Sequence, residues 1–538
     1  MDMSLEQCVG QMLGIGWPAG PEGIETLRGV VAATHAGNLV AFARNAGSPR
    51  SSFETIAAAR SVVERATGIR PLAATDQESG TVARFVEGFT AFPTALGQAS
   101  AVAGGLHGTD EIREVGRACG EELAAIGIDW NLAPDADVNS NPANPVIGVR
   151  SWGDDPAGVS ERAVSFARGT ADAGLLACAK HFPGHGDTAV DSHIALPRVD
   201  RDRASLEAVE LRPFRSLIGA EVGSVMLSHV LYPALERAAL PASLSPAIAT
   251  GLLRNELGFR GLITTDCLEM HAIIDNYPEA AVLAVEAGCD ILFVSHTPER
   301  QVAAHDAIVR AVRSGRIPEA RIQASVERIL AVKRNLPVPP AAFDESRFSA
   351  GEPARAALAA ALARDSIAVV VDGAGLPPAP GWLLVDVLPR PAGGAEGNPV
   401  ASVSAFLGSA PGVSSVALPP EADAAARERA LAALSAHRPG GGVVVTVHDV
   451  ARRPEQLPLL RALAARCAAE GRSLGIVAMR GPWEAPLLAA EAKAAAPTLA
   501  PPAVTCGFGY CPAAAAAVAG YLLGVHRPGG RCPVAIQR

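Results

Sequence analysis

Eight short apolar runs, separated by helical patterns, occupy the first 296 residues and leave this chain few folds to adopt. They cover residues 13–17, 38–42, 72–75, 130–133, 175–179, 224–227, 262–265 and 291–294. Such continuous apolar runs are what strands covered on both faces look like. Between them lie helical stretches such as 52–66 and 109–127, the second closing on Gly127, where a helix C-terminus favours glycine. Eight strands alternating with helices predict an α/β fold of the (β/α)8 barrel type, and alternation alone also permits a doubly wound sheet.

The residues at the carboxyl end of each run sharpen the choice. Asp76 stands after the third run, Asp135 and Asp137 after the fourth, and Lys180 and His181 after the fifth. His229 stands after the sixth, Asp266 after the seventh and His296 after the eighth. In a barrel these ends converge on one mouth, where barrel enzymes keep their chemistry. A single polar residue ending a strand is as readily a terminator as a catalytic group. Six ends carrying one together point to a barrel enzyme.

The length of 538 residues exceeds what one core holds, so a second domain is expected. The Pro-rich stretch 336–355 lacks periodicity and reads as a linker after a barrel domain over 1–335. Beyond it, 368–371, 382–387, 443–447 and 474–479 read as buried strands between Ala-rich helices, an α/β sandwich domain over 356–538. It carries few titratable clusters, so a structural or interface role is expected of it.

Composition excludes several function classes. Hydrophobic residues at 49% against 19% charged rule out a largely disordered chain. A net charge of -9 argues against a nucleic-acid partner, since phosphate backbones attract basic faces. The Ala-rich stretch 512–524 is too short to span a bilayer, and the first twenty residues have no basic region ahead of their apolar part. The expectation is a cytoplasmic protein with no membrane partner, and nothing in the sequence fixes an oligomeric state. Nine scattered cysteines without a C-x-x-C read neither as a disulfide framework nor as a zinc site.

The densest segment is KHFPGHGDTAVDSH, 180–193, with three of the twelve histidines and one of only three lysines. Its proline and two glycines make it a rigid loop. A metal site is one reading, though neither H-E-x-x-H nor a helical histidine spacing occurs. A structural hydrogen-bond network is another, and acid–base chemistry a third. Asp191 and His193 are two apart, so on an extended backbone they share a face. A carboxylate there fixes the imidazole tautomer and stabilises its protonated form, which makes a proton-transfer pair. His193 bonded to a backbone carbonyl is the alternative.

Asp266, ending an apolar run, could attack an electrophile, stabilise a cation, or cap a following helix. Cys267 has no basic neighbour and reads as a small buried residue. The segments TDQESG (75–80) with Arg84, and NPVIGVRSW (144–152) with Arg150, place carboxylates and guanidinium groups on turns after strands. They suit a neutral polyhydroxylated ligand held by paired hydrogen bonds, and surface salt bridges would explain them equally.

Together TDQESG (75–80), NPVIGVRSWGDDP (144–156), KHFPGHGDTAVDSH (180–193), PASLS (241–245) and LRNELGFRGLITTDCLEM (253–270) resemble glycoside hydrolase family 3, in its β-N-acetylglucosaminidase branch. The likeness spans most of 5–335, and GYLLGVHRPGGRCPV (520–534) is similar to the close of that family's second domain. The resemblance implies that Asp266 is a nucleophile forming a covalent glycosyl-enzyme intermediate. It implies His193, supported by Asp191, as acid and then base. Asp76, Arg84, Arg150, Lys180 and His181 would hold a terminal N-acetylglucosamine, with net retention of configuration and neither metal nor cofactor. A histidine acid/base adds no second negative charge beside Asp266, which suits an anionic leaving group or acceptor. The sequence departs from the family pattern at Ser79, where glycine is usual, and at Thr81, where arginine is common. Asp137 rather than Asp135 is the expected match in APDAD (133–137).

The expected function is a retaining exo-β-N-acetylglucosaminidase acting on a small saccharide from cell-wall turnover, N-acetylglucosamine linked to anhydro-N-acetylmuramic acid with or without peptide. A phosphorylase delivering phosphate instead of water is the close alternative, and a catalytically silent sugar-binding protein the distant one.

Overall fold

The computed structural model describes residues 3–191, 194–273, 277–374, 381–391, 400–408 and 412–536. All eight runs contain strands: β1 Leu13–Ile15, β2 Asn38–Ala41, β3 Leu72–Thr75, β4 Trp130–Asn131, β5 Leu176–Phe182, β6 Ser224–Leu227, β7 Leu262–Thr265 and β8 Leu292–Val294. They pair in parallel in the order β8-β1-β2-β3-β4-β5-β6-β7. A parallel bridge from Thr264 to Ile291, with Thr265 N donating to Ile291 O at 3.2 Å, joins β7 to β8 and closes the cylinder. The expected barrel is therefore observed, and the doubly wound alternative is not.

Every residue of these strands is buried, since the helices cover the outside while side chains fill the inside. Trp130 is one such filler: its indole N–H donates to Ser224 Oγ at 2.8 Å, and its ring lies 5.5 Å from that of Phe293.

A second sheet contains β9 Ala368–Val371, β10 Trp382–Val387, β11 Ser414–Leu418, β12 Gly442–Val447, β13 Leu474–Ala478 and β14 Val504–Cys506. Its order is β9-β14-β13-β12-β10-β11; β9 runs antiparallel to β14 and the other pairs are parallel. Apolar clusters cover both faces. Sequence patterning missed β11, an edge strand whose residues are mostly exposed, and β14, which has only three residues.

The expected linker 336–355 needs correction in its second half. A helix spans Glu345–Ser366, capped by the Asp344 carboxylate, which accepts from Arg347 N at 3.0 Å. Phe348, Ala359 and Leu362 of this helix belong to the barrel's core, and Ala363 to the sheet's. A helix buried on two sides has no single apolar stripe, which is why its periodicity is hidden.

The two sheets are joined by direct bonds. Thr94 Oγ1 donates to Phe508 O at 2.5 Å, Ser100 Oγ to Ser366 O at 2.7 Å, and Ala535 N to Asp154 Oδ2 at 2.6 Å. Leu96 and Val149 of the barrel part pack with Cys506, Phe508 and Val534 in one buried cluster. Among the described residues no helix is long and apolar enough to cross a membrane.

Candidate active site

A cavity of about 380 Å³ opens at the carboxyl ends of the barrel strands. Of the residues to which the resemblance gives roles, six line it: Asp76, Arg84, Arg150, Lys180, His181 and Asp266. A short hairpin, Gln77–Ser79 and Val82–Ala83, comes after β3 and carries Glu78 and Arg84 to the wall.

The charges form a paired lattice. Lys180 Nζ bonds Asp76 Oδ1 at 2.7 Å and Glu78 Oε1 at 2.6 Å. Arg150 grips Glu78 with two bonds, Nε to Oε2 at 2.9 Å and Nη2 to Oε1 at 2.8 Å, while Arg84 Nη2 reaches Asp76 Oδ2 at 3.2 Å. The Arg150 and Glu78 side chains are only 4% and 6% exposed, so the surface salt-bridge reading fails for them. Burial alone would raise Asp76, but Lys180 and Arg84 outweigh it and hold the carboxyl well below its usual range. Burial likewise disfavours the Lys180 ammonium, and Asp76 and Glu78 outweigh it. A charged lattice of mutually paired side chains beside open space is a rigid set of hydrogen-bonding groups for sugar hydroxyls.

Beneath it, His181 Nδ1 donates to Asp137 Oδ2 at 2.7 Å, and its Nε2 faces Arg150 Nη2 at 3.4 Å. Burial, then the Arg150 charge, pushes His181 down to about 4, so it stands as the neutral Nδ1–H tautomer. Asp137 also accepts from His185 N at 2.6 Å. Burial and the neighbouring Asp137 carboxylate raise Asp135, whose Oδ1 accepts from Asp137 N at 2.9 Å. Asp135, Asp137 and His181 offer atoms within 4.8 Å of one another, close enough to share a metal ion. Hydrogen bonds from His181 and from backbone N–H groups hold Asp137 in this cluster, while Asp135 Oδ2 is buried without a hydrogen bond, 3.6 Å from Arg150 Nη2.

Asp266 is half-buried at the end of β7, with its N donating to Leu227 O at 3.2 Å and its Oδ1 accepting from Cys267 N at 2.7 Å. The helix-cap reading fails, because turns come directly after it and the next described helix begins at Glu279 behind Pro278. Burial pushes the Cys267 thiol up to about 12, in keeping with an unreactive side chain.

The loop after β5 is irregular, as its composition predicts. His185 Nδ1 meets Thr188 Oγ1 at 2.8 Å, and Asp187 takes two bonds from Arg201 at 2.8 and 2.9 Å. A side chain on Gly186 would begin 1.6 Å from Val138 O, so only glycine passes there. Asp191 is buried and lies outside the cavity lining; its carbonyl accepts from Ile194 N at 2.9 Å. His193 lies outside the described residues.

Two strand-end residues behave differently from one another. His296 lines the cavity, whereas His229 is buried between Ser243 Oγ at 2.7 Å and Cys267 O at 3.0 Å, where it braces the turn after Asp266. Sequence reasoning passes over Glu78 and Arg44 as wall residues. Glu78 is legible in principle: it stands two residues from Asp76, the spacing that puts side chains on one face of an extended segment. Arg44 sits in a short turn after β2, bonded to Trp17 O and Ser295 O at 2.7 Å each, and no local pattern announces it.

A closed parallel barrel with a paired charge lattice and a half-buried aspartate at its carboxyl mouth defines a (β/α)8 enzyme. The N-terminal domain of glycosyl hydrolase family 3 matches residues 4–332, and the chain belongs to that family. The β-hexosaminidase A of Pseudoalteromonas piscicida is 34% identical over 364 residues, 63% of this chain and 60% of that one. This chain thus spans 60% of the length of that relative. A β-hexosaminidase of Methylococcus capsulatus is 38% identical over 277 residues, 51% of this chain and 79% of its own. The solved glycoside hydrolase family 3 β-N-acetylglucosaminidase from Paenibacillus sp. str. FPU-7 is similar at a TM-score of 0.86 and 33% identity, covering 99% of each chain.

Proposed function

We propose that this chain is a retaining exo-β-N-acetylglucosaminidase. The observation that carries the reading is the position of Asp266 on the wall of the cavity that the Asp76, Glu78, Arg84, Arg150 and Lys180 lattice also lines. The likeness to β-hexosaminidases and to a β-N-acetylglucosaminidase supports the choice of sugar.

In this reading the lattice and His181 hold the terminal N-acetylglucosamine. The Asp266 carboxylate attacks the anomeric carbon as the glycosidic bond breaks, and the imidazolium of His193 gives its proton to the departing oxygen. Water then attacks the same carbon, its proton passes to His193, and Asp266 is released with the β configuration restored. Asp191 orients the imidazole and stabilises its protonated form. The natural substrate is a fragment of cell-wall turnover, N-acetylglucosamine on anhydro-N-acetylmuramic acid with or without peptide. The cytoplasm is its place of action, which nine unpaired thiols suit.

The test is turnover of an aryl β-N-acetylglucosaminide with and without phosphate, with the sugar product followed by mass and anomeric NMR. Free N-acetylglucosamine released first as the β anomer, indifferent to phosphate, is the expected result. A sugar 1-phosphate would reassign the chain as a phosphorylase, and first release of the α anomer would remove the double displacement.

A further inference from the structure

The C-terminal sheet brings the carboxyl ends of β12 and β13 against the barrel loop that carries Arg150. That loop is built from the inside by Asn144, whose Oδ1 accepts from Val146 N at 2.9 Å and Ile147 N at 2.7 Å. Ile147 O then accepts from Arg150 N at 2.9 Å, and Val146 O from Arg150 Nη1 at 3.2 Å. The place of residues 145–147 therefore sets where the Arg150 guanidinium stands before Nε and Nη2 turn to Glu78.

From outside, the same loop is gripped by the other domain. Arg452 Nη2 donates to Pro145 O, and Arg452 is itself tied to Asp449 Oδ2 at 3.3 Å. Pro145 has no amide N–H, so its carbonyl is the one backbone group it can offer. Three residues on, Gly148 turns with φ +48°, and a side chain there would begin 3.5 Å from Arg480 Nη1 and 3.9 Å from the Trp483 ring. Trp483 also packs on the buried cluster that contains Val149.

We infer that Arg452 is a positioning residue for the sugar site, acting through Pro145 O to fix the loop that aims Arg150 into the cavity. The inference rests on the proposed role of Arg150 as a sugar ligand. It gives the C-terminal domain a part in substrate affinity although none of its described residues lines the cavity. Because Arg150 would hold the sugar in ground state and transition state alike, misaiming it weakens both equally. The loss falls on KM and spares kcat.

The test uses the full chain with an aryl β-N-acetylglucosaminide and compares wild type, Arg452→Met, which keeps the stem and removes the donors, and Arg452→Lys, which keeps a charge and a donor. Arg452→Met is expected to raise KM about tenfold, the scale of one charge-assisted hydrogen bond, with kcat within about twofold of wild type. Arg452→Lys is expected between the two. A folded Arg452→Met with wild-type KM overturns the inference, and so does a lower unfolding temperature accompanied by lost kcat alone. Should Arg452→Met not fold, Asp449→Asn, which loosens the same arginine, is read by the same KM criterion. No turnover by wild type would remove the proposed function and this inference with it. Wild-type turnover beside an unmoved KM removes this inference only.

Discussion

Both sheets of this chain end strands on titratable side chains, yet the two sets face different surroundings. At the barrel mouth Asp76, Glu78, Lys180 and Arg150 neutralise one another around open space, and their burial is offset by partners of opposite charge. At the ends of β12 and β13 stand His448, Asp449, Arg480 and Glu484, packed toward the barrel loop and Tyr510, whose ring lies 6.2 Å from that of His448. Burial pushes His448 down to about 3, and burial with the neighbouring Asp449 charge pushes Glu484 up to about 7. These are groups driven toward neutrality. The contrast teaches that a strand-end position is not itself a function: what surrounds the group, open space at the barrel mouth or packed protein at the interface, decides what it can do.

The sharpest way to break this contrast is to remove one group from each set. Asp266→Asn keeps size and hydrogen bonding but supplies no nucleophile, and kcat is expected to fall about 10⁴-fold with the fold intact. His448→Phe, at an equivalent place in the other sheet, is expected to leave kcat/KM within about twofold. Steady-state assays of both decide the matter. Comparable losses would mean that the C-terminal strand ends take part in the reaction.

The lysines make a second contrast. Lys180 bonds two carboxylates, whereas Lys333, also buried, donates to the neutral Gln11 Oε1 and Gly37 O, each at 2.8 Å. Lys180→Met takes one cationic partner from each of two buried carboxylates, leaving Arg84 on Asp76 and Arg150 on Glu78, with an expected loss of about 1.5–3 kcal/mol in stability and of sugar binding. Burial lowers Lys333 to about 7 from an ordinary 10.5. Between those values the unfolded chain holds a proton that the folded chain has lost, so stability rises with pH through the window, by up to about 1.4 kcal/mol per unit. Below it both states are protonated and the full penalty of burying the ammonium is felt. Lys333→Met is therefore expected to stabilise the protein most below pH 7 and to flatten the rise. Denaturant unfolding of both chains across that range checks it, and an unchanged slope would show that the ammonium is compensated by groups other than these two.

The same contrast explains what is legible in the sequence. Buried parallel strands announce themselves as unbroken apolar runs, and barrel closure brings their ends together, so the wall residues Asp76, Lys180, His181, Asp266 and His296 can be named from the sequence alone. The features that stay hidden depend on more than one element at once. Arg44 is defined by Trp17 and Ser295, which lie just beyond β1 and β8, the next two strands around the barrel from β2. The helix Glu345–Ser366 divides its buried face between two cores, and β11 lies on an edge with its side chains in water. Local periodicity reports one neighbour; none of these has only one.

The smallest effect tests how much conformational cost the barrel side carries. Left-handed residues other than glycine occur on both sides of the interface: Ser79 at φ +84° in the hairpin beside Glu78, and Asp449 and Phe508 at +52° and +54° in the other domain. Ser79 stands where the family usually has glycine, and a Cβ in that conformation costs about 1–2 kcal/mol. Its hydroxyl accepts from the Gln98 amide at 3.0 Å, a nitrogen that also donates to Pro93 O at 2.9 Å, so the donor stays bonded if the hydroxyl goes. Ser79→Gly relieves the Cβ, loses one modest bond and loosens the unfolded chain, contributions of about 1 kcal/mol each and of opposing sign. Stability is expected to stay within about 1 kcal/mol of wild type, with kcat/KM unmoved because the hydroxyl is turned to Gln98 rather than the cavity. Ser79→Ala loses the bond and keeps the Cβ, so it is expected to be the least stable of the three in denaturant unfolding. If Ser79→Ala instead matched or exceeded Ser79→Gly, the left-handed turn would carry no measurable cost, and the hydroxyl alone would account for serine at this position.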